Sequence, residues 1–294
     1  EKAFCDLAKK HNANTNIIKG NNLLNQNFPM IHAVGRASDQ EPRLLDMQWG
    51  ENNNPKVTLV GKGVCFDTGG LNIKPTASMS LMKKDMGGSA TVLGLAHMIM
   101  ALNLKINLRV IIPAVENSIS SNSFRPQDIL ISRKGMSVEI NHTDAEGRLI
   151  LADALSLADE DKPDLLICNA TLTGAARVAL GPDMPPYFTD DDQLANQIQN
   201  ASIENVDPLW RMPFWSPYES FIEPEVADLD NAPKGGFAGA ITAALFLRRF
   251  VEKAKYFVHF DLFAWAPVAK PSQSQGGACQ SARAMLSVIE KRYE

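Results

Sequence analysis

Hydrophobic and polar positions along the chain change period repeatedly, from short continuous apolar runs to longer stretches with helical spacing. Val57–Val60, Leu108–Ile112 and Leu165–Cys168 are almost wholly apolar, as strands buried on both faces are. Gly88–Leu102 and Leu149–Ala158 instead place apolar residues at helical intervals, and Val138–Ile140 reads as a further short strand. Gly239–Glu252 and Tyr256–Phe260 repeat the helix–strand alternation near the end of the chain. Strands alternating with helices predict an α/β fold, a mixed, largely parallel central sheet flanked by helices. No internal repeat is visible.

The first fifty residues read differently. Lys2–Lys10 is a short helix, and the Asn-rich stretch from Asn12 to Asn27 is polar enough for loops and turns. A second Asn cluster, Glu51–Pro55, marks a turn before the first apolar strand. The expected division is a lead-in or linker segment at residues 1–30 and one large domain at residues 31–294. Because the chain opens without methionine, it also reads as the trimmed remainder of a longer protein.

Composition narrows the partners. With 45% hydrophobic residues the chain can bury a substantial core. Its formal net charge of −4 offers no footprint for nucleic acid or an anionic membrane surface. No run reaches the roughly 18 apolar residues that span a bilayer, and Val92–Leu104 is interrupted by His97 and Asn103. No signal peptide is read at the start. Cys5, Cys65, Cys168 and Cys279 are widely separated and form no CxxC pair, which predicts reduced thiols and a cytoplasmic setting.

Three segments carry candidate chemistry: Gly61–Pro75 (GKGVCFDTGGLNIKP), Met82–Gly88 (MKKDMGG) and His142–Leu149 (HTDAEGRL). The first and third follow predicted strands, and ligands of open α/β sheets gather outside the carboxyl ends of strands. The pattern GxxxxGK[ST] is absent, so Gly61-Lys62-Gly63 is no phosphate loop. HExxH is absent too, and five scattered histidines disfavour a histidine-ligated zinc. Asp144 and Glu146, two apart on a strand-to-helix turn, present both carboxylates to one side and suit hard or borderline divalent cations. On spacing alone they read more readily as helix N-terminal acids, and Asp67 and Asp85 as ordinary turn residues.

Taken in order, the segments resemble the leucyl aminopeptidase family of dinuclear metallopeptidases. The resemblance runs over roughly residues 30–260 and includes VGRA (34–37), PRLL (42–45), PAVEN (113–117), DAEGRL (144–149) and ATLTGA (170–175). It implies a metal-dependent aminopeptidase that removes the N-terminal residue of short peptides through a hydroxide shared by two divalent ions, whether zinc, manganese or magnesium. By the same resemblance Asp67 and Glu146 bridge the ions, Asp144 completes one site, and Lys62 and Asp85 complete the other. Lys74 stays a charged electrophile, and Arg148 holds a bicarbonate as proton shuttle. Met82, Thr171, Leu172 and Gly174 line the first specificity pocket, and six copies assemble as a homohexamer.

The implied residue types suit that chemistry. Two close cations lower the pKa of a shared water and polarise a carbonyl, and a free α-amine ligates a metal only when unprotonated. Two rivals stand beside this reading: a two-metal phosphohydrolase, and a family member used mainly as a binding or regulatory module. The sequence departs from the family at His142, where asparagine is usual, and at Asp261–Trp265 (DLFAW) and Gly276–Gln280 (GGACQ), where the commoner signatures are DIAG and TG. Those departures leave the preferred N-terminal residue open.

Overall fold

The computed structural model describes residues 1–293. Helix α1 (Lys2–Lys10) leads into strand β1 (Asn14–Lys19), two short helices α2 (Asn22–Asn25) and α3 (Pro29–Gly35), and strand β2 (Arg43–Trp49). Strands β3 (Lys56–Gly61) and β4 (Gly63–Asp67) flank Lys62, and a short helix α4 (Thr76–Met79) precedes α5 (Gly87–Ala101). Then come β5 (Asn107–Asn117), β6 (Ile129–Ile131), β7 (Ser137–Glu139), α6 (Gly147–Glu160) and β8 (Leu165–Ala170). The second half adds α7 (Gly174–Leu180), β9 (Pro186–Phe188), α8 (Asp192–Glu204), β10 (Trp210–Arg211) and β11 (Leu229–Asp230). It ends with α9 (Gly239–Arg248), β12 (Phe257–Asp261), β13 (Trp265–Ala266), β14 (Gly276–Gly277) and α10 (Ala282–Tyr293).

A nine-stranded mixed sheet runs in the order β1-β2-β5-β3-β8-β12-β9-β10, with β4 continuing β3 beside β5. Its centre is parallel: β5 pairs with β3 and β4, β3 with β8, and β8 with β12. The antiparallel neighbours β2 and β9 lie to either side. The mixed, largely parallel α/β sheet expected from the alternation is what forms. Strand periodicity divides the core cleanly. Val57, Leu59, Leu108, Val110, Ile112, Leu165 and Ile167 face one layer, formed by α1, α5, α8 and α10. Val60, Ile111, Val115, Leu166 and Cys168 face the other, formed by α3, α6 and α9. Side chains of a strand alternate faces, so each central strand contributes to both cores.

One expectation needs correcting. The Asn-rich stretch is not loop: Asn14–Lys19 forms edge strand β1, paired antiparallel with Arg43–Gln48 of β2. Its Asn14, Thr15 and Asn16 are exposed at the sheet edge while Ile18 is buried, which is why it lacks an apolar run. The pairing crosses the division drawn at residue 30. Asp153 of α6 reinforces it, accepting hydrogen bonds from the backbone N–H groups of Met30 (2.8 Å), Ile31 (3.2 Å) and Arg133 (2.7 Å). Helix α9 is also shorter than the predicted Gly239–Glu252, ending at Arg248.

Candidate metal centre and substrate cavity

The carboxyl ends of the parallel strands converge on one cavity of about 460 Å³. Lys62 sits in the break between β3 and β4, Asp67 ends β4, and Thr171 follows β8. The break is built from the main chain. The Lys62 N–H donates to the Asn169 carbonyl of β8 at 3.0 Å, and the Lys62 carbonyl accepts from the Ser89 N–H of α5 at 2.9 Å. Asp144 and Glu146 stand just before α6, and Gly147 leaves room there for the Lys62 side chain: a Cβ would lie 2.5 Å from Lys62 Cε. Gly69, at a φ of +90°, turns the chain so that its N–H donates to Asp67 Oδ1 at 2.9 Å.

Nine of the eleven residues singled out from sequence line the cavity: Lys62, Asp67, Lys74, Met82, Asp85, Asp144, Thr171, Leu172 and Gly174. Glu146 lies behind Lys62, 2.9 Å from its ammonium. Arg148 stands apart from the lining, buried with its guanidinium over the Phe246 ring. The two lysines divide the acids between them. Lys62 Nζ is 2.8 Å from Asp85 Oδ2, and Lys74 Nζ is 2.8 Å from Asp67 Oδ2 and 2.5 Å from Asp144 Oδ1. Thr171 does more than line the wall, since its hydroxyl donates to Asp85 Oδ1 at 2.8 Å and its carbonyl accepts from Lys62 Nζ at 2.8 Å.

Electrostatics show how crowded the acids are. Burial, and then the charge of Asp67, push Glu146 up to about 8 and Asp144 up to about 6. Burial likewise raises Asp85. Burial would raise Asp67 as well, but Lys62 and Lys74 override it and hold that carboxyl low. Burial would depress Lys62, yet Asp85, Glu146 and Asp67 hold its ammonium well above the ordinary lysine range. Four acids crowd around Lys62 and Lys74 in a buried space, and divalent cations would relieve their mutual repulsion.

The residues present fit divalent metals. One oxygen each from Asp67, Asp144 and Glu146 lies within 4.8 Å of the others. Asp85 Oδ2, Asp144 Oδ1 and Glu146 Oε1 are buried and face lysine ammoniums at 2.8, 2.5 and 2.9 Å, so that Lys62 and Lys74 occupy the space between the acids where cations would sit. A purely oxygen donor set with one lysine suits hard or borderline cations. Arg148 is unsatisfied, with Nε and Nη1 lacking a partner, and burial brings it down to about 10 against the opposing charges of Asp261, Glu146 and Asp230.

Several positioning residues escaped the sequence reading. Asn117, at the end of β5, donates through Nδ2 to Asp67 Oδ1 (2.9 Å) and to the Thr143 carbonyl (3.1 Å). Asn231, fully buried, accepts from the Asn141 N–H at 2.8 Å and donates to the His142 carbonyl at 2.7 Å, clamping the loop that carries Asp144. Asp261 accepts from the N–H groups of Leu172 and Thr173, each at 3.0 Å, and fixes the 171–174 wall. Asn117 and Asp261 lie within quoted motifs, and Asp261 directly follows a predicted strand, which is a usable signal. Asn231 gave none. His142 is exposed, and its Nδ1 accepts from the Asp144 N–H at 3.2 Å, so the unusual histidine shapes the loop from outside.

The departing segment 263–265 forms the far wall. Ala264 takes a φ of +55°, and its N–H donates to Gln280 Oε1 at 2.9 Å, while Gln280 Nε2 reaches the Pro182 carbonyl at 2.8 Å. Gln280 thus ties the two atypical segments together and turns Phe263 toward the cavity. Lys84, which burial brings down to about 8, also lines this wall.

Comparison with known proteins agrees with this fold. The cytosol aminopeptidase from Coxiella burnetii superposes with a TM-score of 0.97 at 50% identity, over 100% of this chain and 64% of that one. The bottromycin maturation enzyme BotP, in complex with Mn, gives a TM-score of 0.94 at 32% identity, covering 100% of this chain and 65% of that one. The cytosol aminopeptidase of Encephalitozoon cuniculi is 43% identical over 258 residues, 87% of this chain and 53% of the relative. Peptidase B of Pectobacterium atrosepticum is 41% identical over 267 residues, 89% of this chain and 61% of the relative. The chain therefore spans little more than half the length of the curated relatives it matches. Among the described residues no helix is long and apolar enough to cross a membrane. A sequence model of the catalytic domain of the cytosol aminopeptidase family matches residues 1–286, and the chain belongs to that family.

Proposed function

We propose that this chain is the catalytic portion of a metal-dependent aminopeptidase that removes the first residue of short peptides. The observation that carries this reading is the convergence of Asp67, Asp85 and Asp144 on one cavity, with Glu146 just behind Lys62 and one oxygen each of Asp67, Asp144 and Glu146 within 4.8 Å of one another. Asp67, Asp144 and Glu146 would hold one divalent ion between them, and Asp85 and Lys62 would complete a second site. Manganese, zinc and magnesium all suit the donors. When bound, the ions supply an activated water and polarise the scissile carbonyl.

The protein's own groups do the rest. Lys62 can ligate only as a neutral amine, so the charge of a metal has to replace the proton that the carboxylates now hold on it. Lys74, whose side chain is 12% exposed, reaches the cavity from the Asp67–Asp144 side and can hold the oxyanion that forms on the carbonyl. Arg148 offers two unpaired N–H groups to a small oxyanion, which supports a bicarbonate there acting on protons. Met82, Leu172, Thr171 and Gly174 would border the first substrate residue. Residues 1–293 would act as one catalytic unit, given the pairing of β1 with β2.

A homohexamer in the cytoplasm belongs to the same proposal. For association of copies, an apolar hollow beside α7 and α9, lined by Val178, Met212 and Ile241 with Phe237 nearby and 85% exposed, offers a surface. The test of the activity is direct. Peptides with free and acetylated N-termini, and a phosphomonoester, are assayed after chelation and again after metal is restored. Metal-dependent cleavage of the free peptide alone is expected. Full activity in protein shown by elemental analysis to be metal-free would overturn the reading.

A further inference from the structure

The Phe263 wall of the cavity carries two cations, Lys84 and Arg177, that no carboxylate contacts directly among the described residues. Lys84 Nζ stands 4.9 Å from the centroid of the Phe263 ring, and the Arg177 guanidinium carbon stands 5.1 Å from the same centroid. All three residues line the cavity. Lys62 and Lys74 are each held by two carboxylates. Lys84 and Arg177, by contrast, form neither an ion pair nor a side-chain hydrogen bond among the described residues.

The nearby acids are already engaged. Asp85 meets Lys62 and the Thr171 hydroxyl, and Asp261 accepts from Leu172, Thr173 and the Thr173 hydroxyl. A ring face attracts a cation far less than a carboxylate does, and the two like charges beside one ring repel each other. An anion placed between them relieves that repulsion and satisfies both. An apolar side chain there would instead strip water from both cations and give nothing back.

We propose that Lys84 and Arg177 select a carboxylate on the first residue of the substrate, so that peptides beginning with Glu or Asp are the preferred class. This rests on the aminopeptidase reading above. Lys84 adjoins Asp85, which that reading gives to the second metal site, and the substrate's unprotonated α-amine would bind the ion held there. The group nearest Lys84 is then the side chain borne on the same α-carbon. Phe263 supplies an apolar surface for the methylene groups of Glu, and the cations flank it.

The experiment uses the metal-loaded protein and matched amidated dipeptides differing in one group. Glu-Ala-amide, Gln-Ala-amide and Leu-Ala-amide test the first side chain. Leu-Glu-amide against Leu-Gln-amide tests a carboxylate on the second residue, and Leu-Ala against its amide tests the C-terminus. The expected kcat/KM for Glu-Ala-amide exceeds that for Gln-Ala-amide by about tenfold or more, a size typical of one charge-assisted contact. Raising ionic strength from about 0.05 to 0.5 M should shrink the ratio.

Because Lys84 adjoins Asp85, the exposed Arg177 carries the decisive variants. Arg177→Gln should lower the Glu-to-Gln ratio by about fivefold or more, and Arg177→Glu should lower it further and favour Lys-Ala-amide. Gln- or Leu-peptides cleaved at least as fast as the Glu-peptide would overturn this inference and leave the aminopeptidase reading standing. An acidic preference seen only at the second residue or the C-terminus would overturn it too. No cleavage of any free-amine peptide would remove the underlying reading, and this inference with it.

Discussion

Asn117 Nδ2 donates to Asp67 Oδ1 at 2.9 Å, at the end of the strand that runs beside Asp67. Both residues are buried, and the same amide nitrogen reaches the Thr143 carbonyl at 3.1 Å. Asn117 therefore bridges the 61–70 and 142–147 segments, which the Thr143 hydroxyl also joins by donating to the Gly69 carbonyl at 2.6 Å. Partners that orient ligands typically change metal affinity about 10- to 100-fold when removed. Asn117→Ala should weaken divalent-ion binding by that order, read by calorimetric titration of stripped protein. Affinity equal to the wild type would show that Asn117 only packs.

The two cavity lysines should fail in different ways. Lys62 is almost fully buried between Asp85 and Glu146, whereas Lys74 is more open. Lys62→Ala should reduce metal content measured by elemental analysis. Lys74→Ala should leave content near normal and lower kcat by roughly 100- to 1,000-fold, as loss of an oxyanion donor does. Equal metal loss in both variants would show the roles to be wrongly divided.

Blocking the substrate's amine should matter more than blocking its other end. An acetyl group removes a ligand and adds bulk beside Asp85. Acetylated peptide should be cleaved at least about 100-fold more slowly than the free form, a transition-state loss near 2.7 kcal/mol. Comparable kcat/KM values for the two would reject cleavage from the N-terminus.

His259 gives a pH dependence of stability. Burial, aided slightly by Arg148, brings this fully buried imidazole down to about 3 although Nδ1 lies 3.3 Å from the Cys168 carbonyl. In the unfolded chain it titrates near 6.5. The folded value is depressed, so below about 6.5 the unfolded state binds the extra proton. The contribution is thus full above that pH and falls by about 1.4 kcal/mol per pH unit as acid is added. Denaturant titrations of wild type and His259→Phe from about pH 7.5 to 4.5 should show a shallower decline in the variant. Parallel slopes would place a charged or solvated histidine there.

Much of this protein could be read along the chain. Val57–Val60, Leu108–Ile112 and Leu165–Cys168 are buried on both faces, and continuous apolar runs are what such strands require. The acids and lysines of the cavity come from short segments at strand ends, so local spacing brought them forward. Asn14–Lys19 stayed hidden because an edge strand needs only one buried residue, Ile18, and its backbone partners lie on Arg43–Gln48.

What tertiary structure alone decided is which distant groups meet. Asn231 clamps the Asp144 loop from about 90 residues away in sequence, and nothing in its neighbours Asp230 and Ala232 announces it. Gln280 turns Phe263 into the cavity by bonding Ala264 and Pro182, and so places one ring between Lys84 and Arg177. The sequence by itself determined which acids and lysines meet in the cavity, because they sit within contiguous loops at the ends of buried strands. The charge of the substrate wall depended on folding, because its parts come from three separate segments that only chain closure brings together.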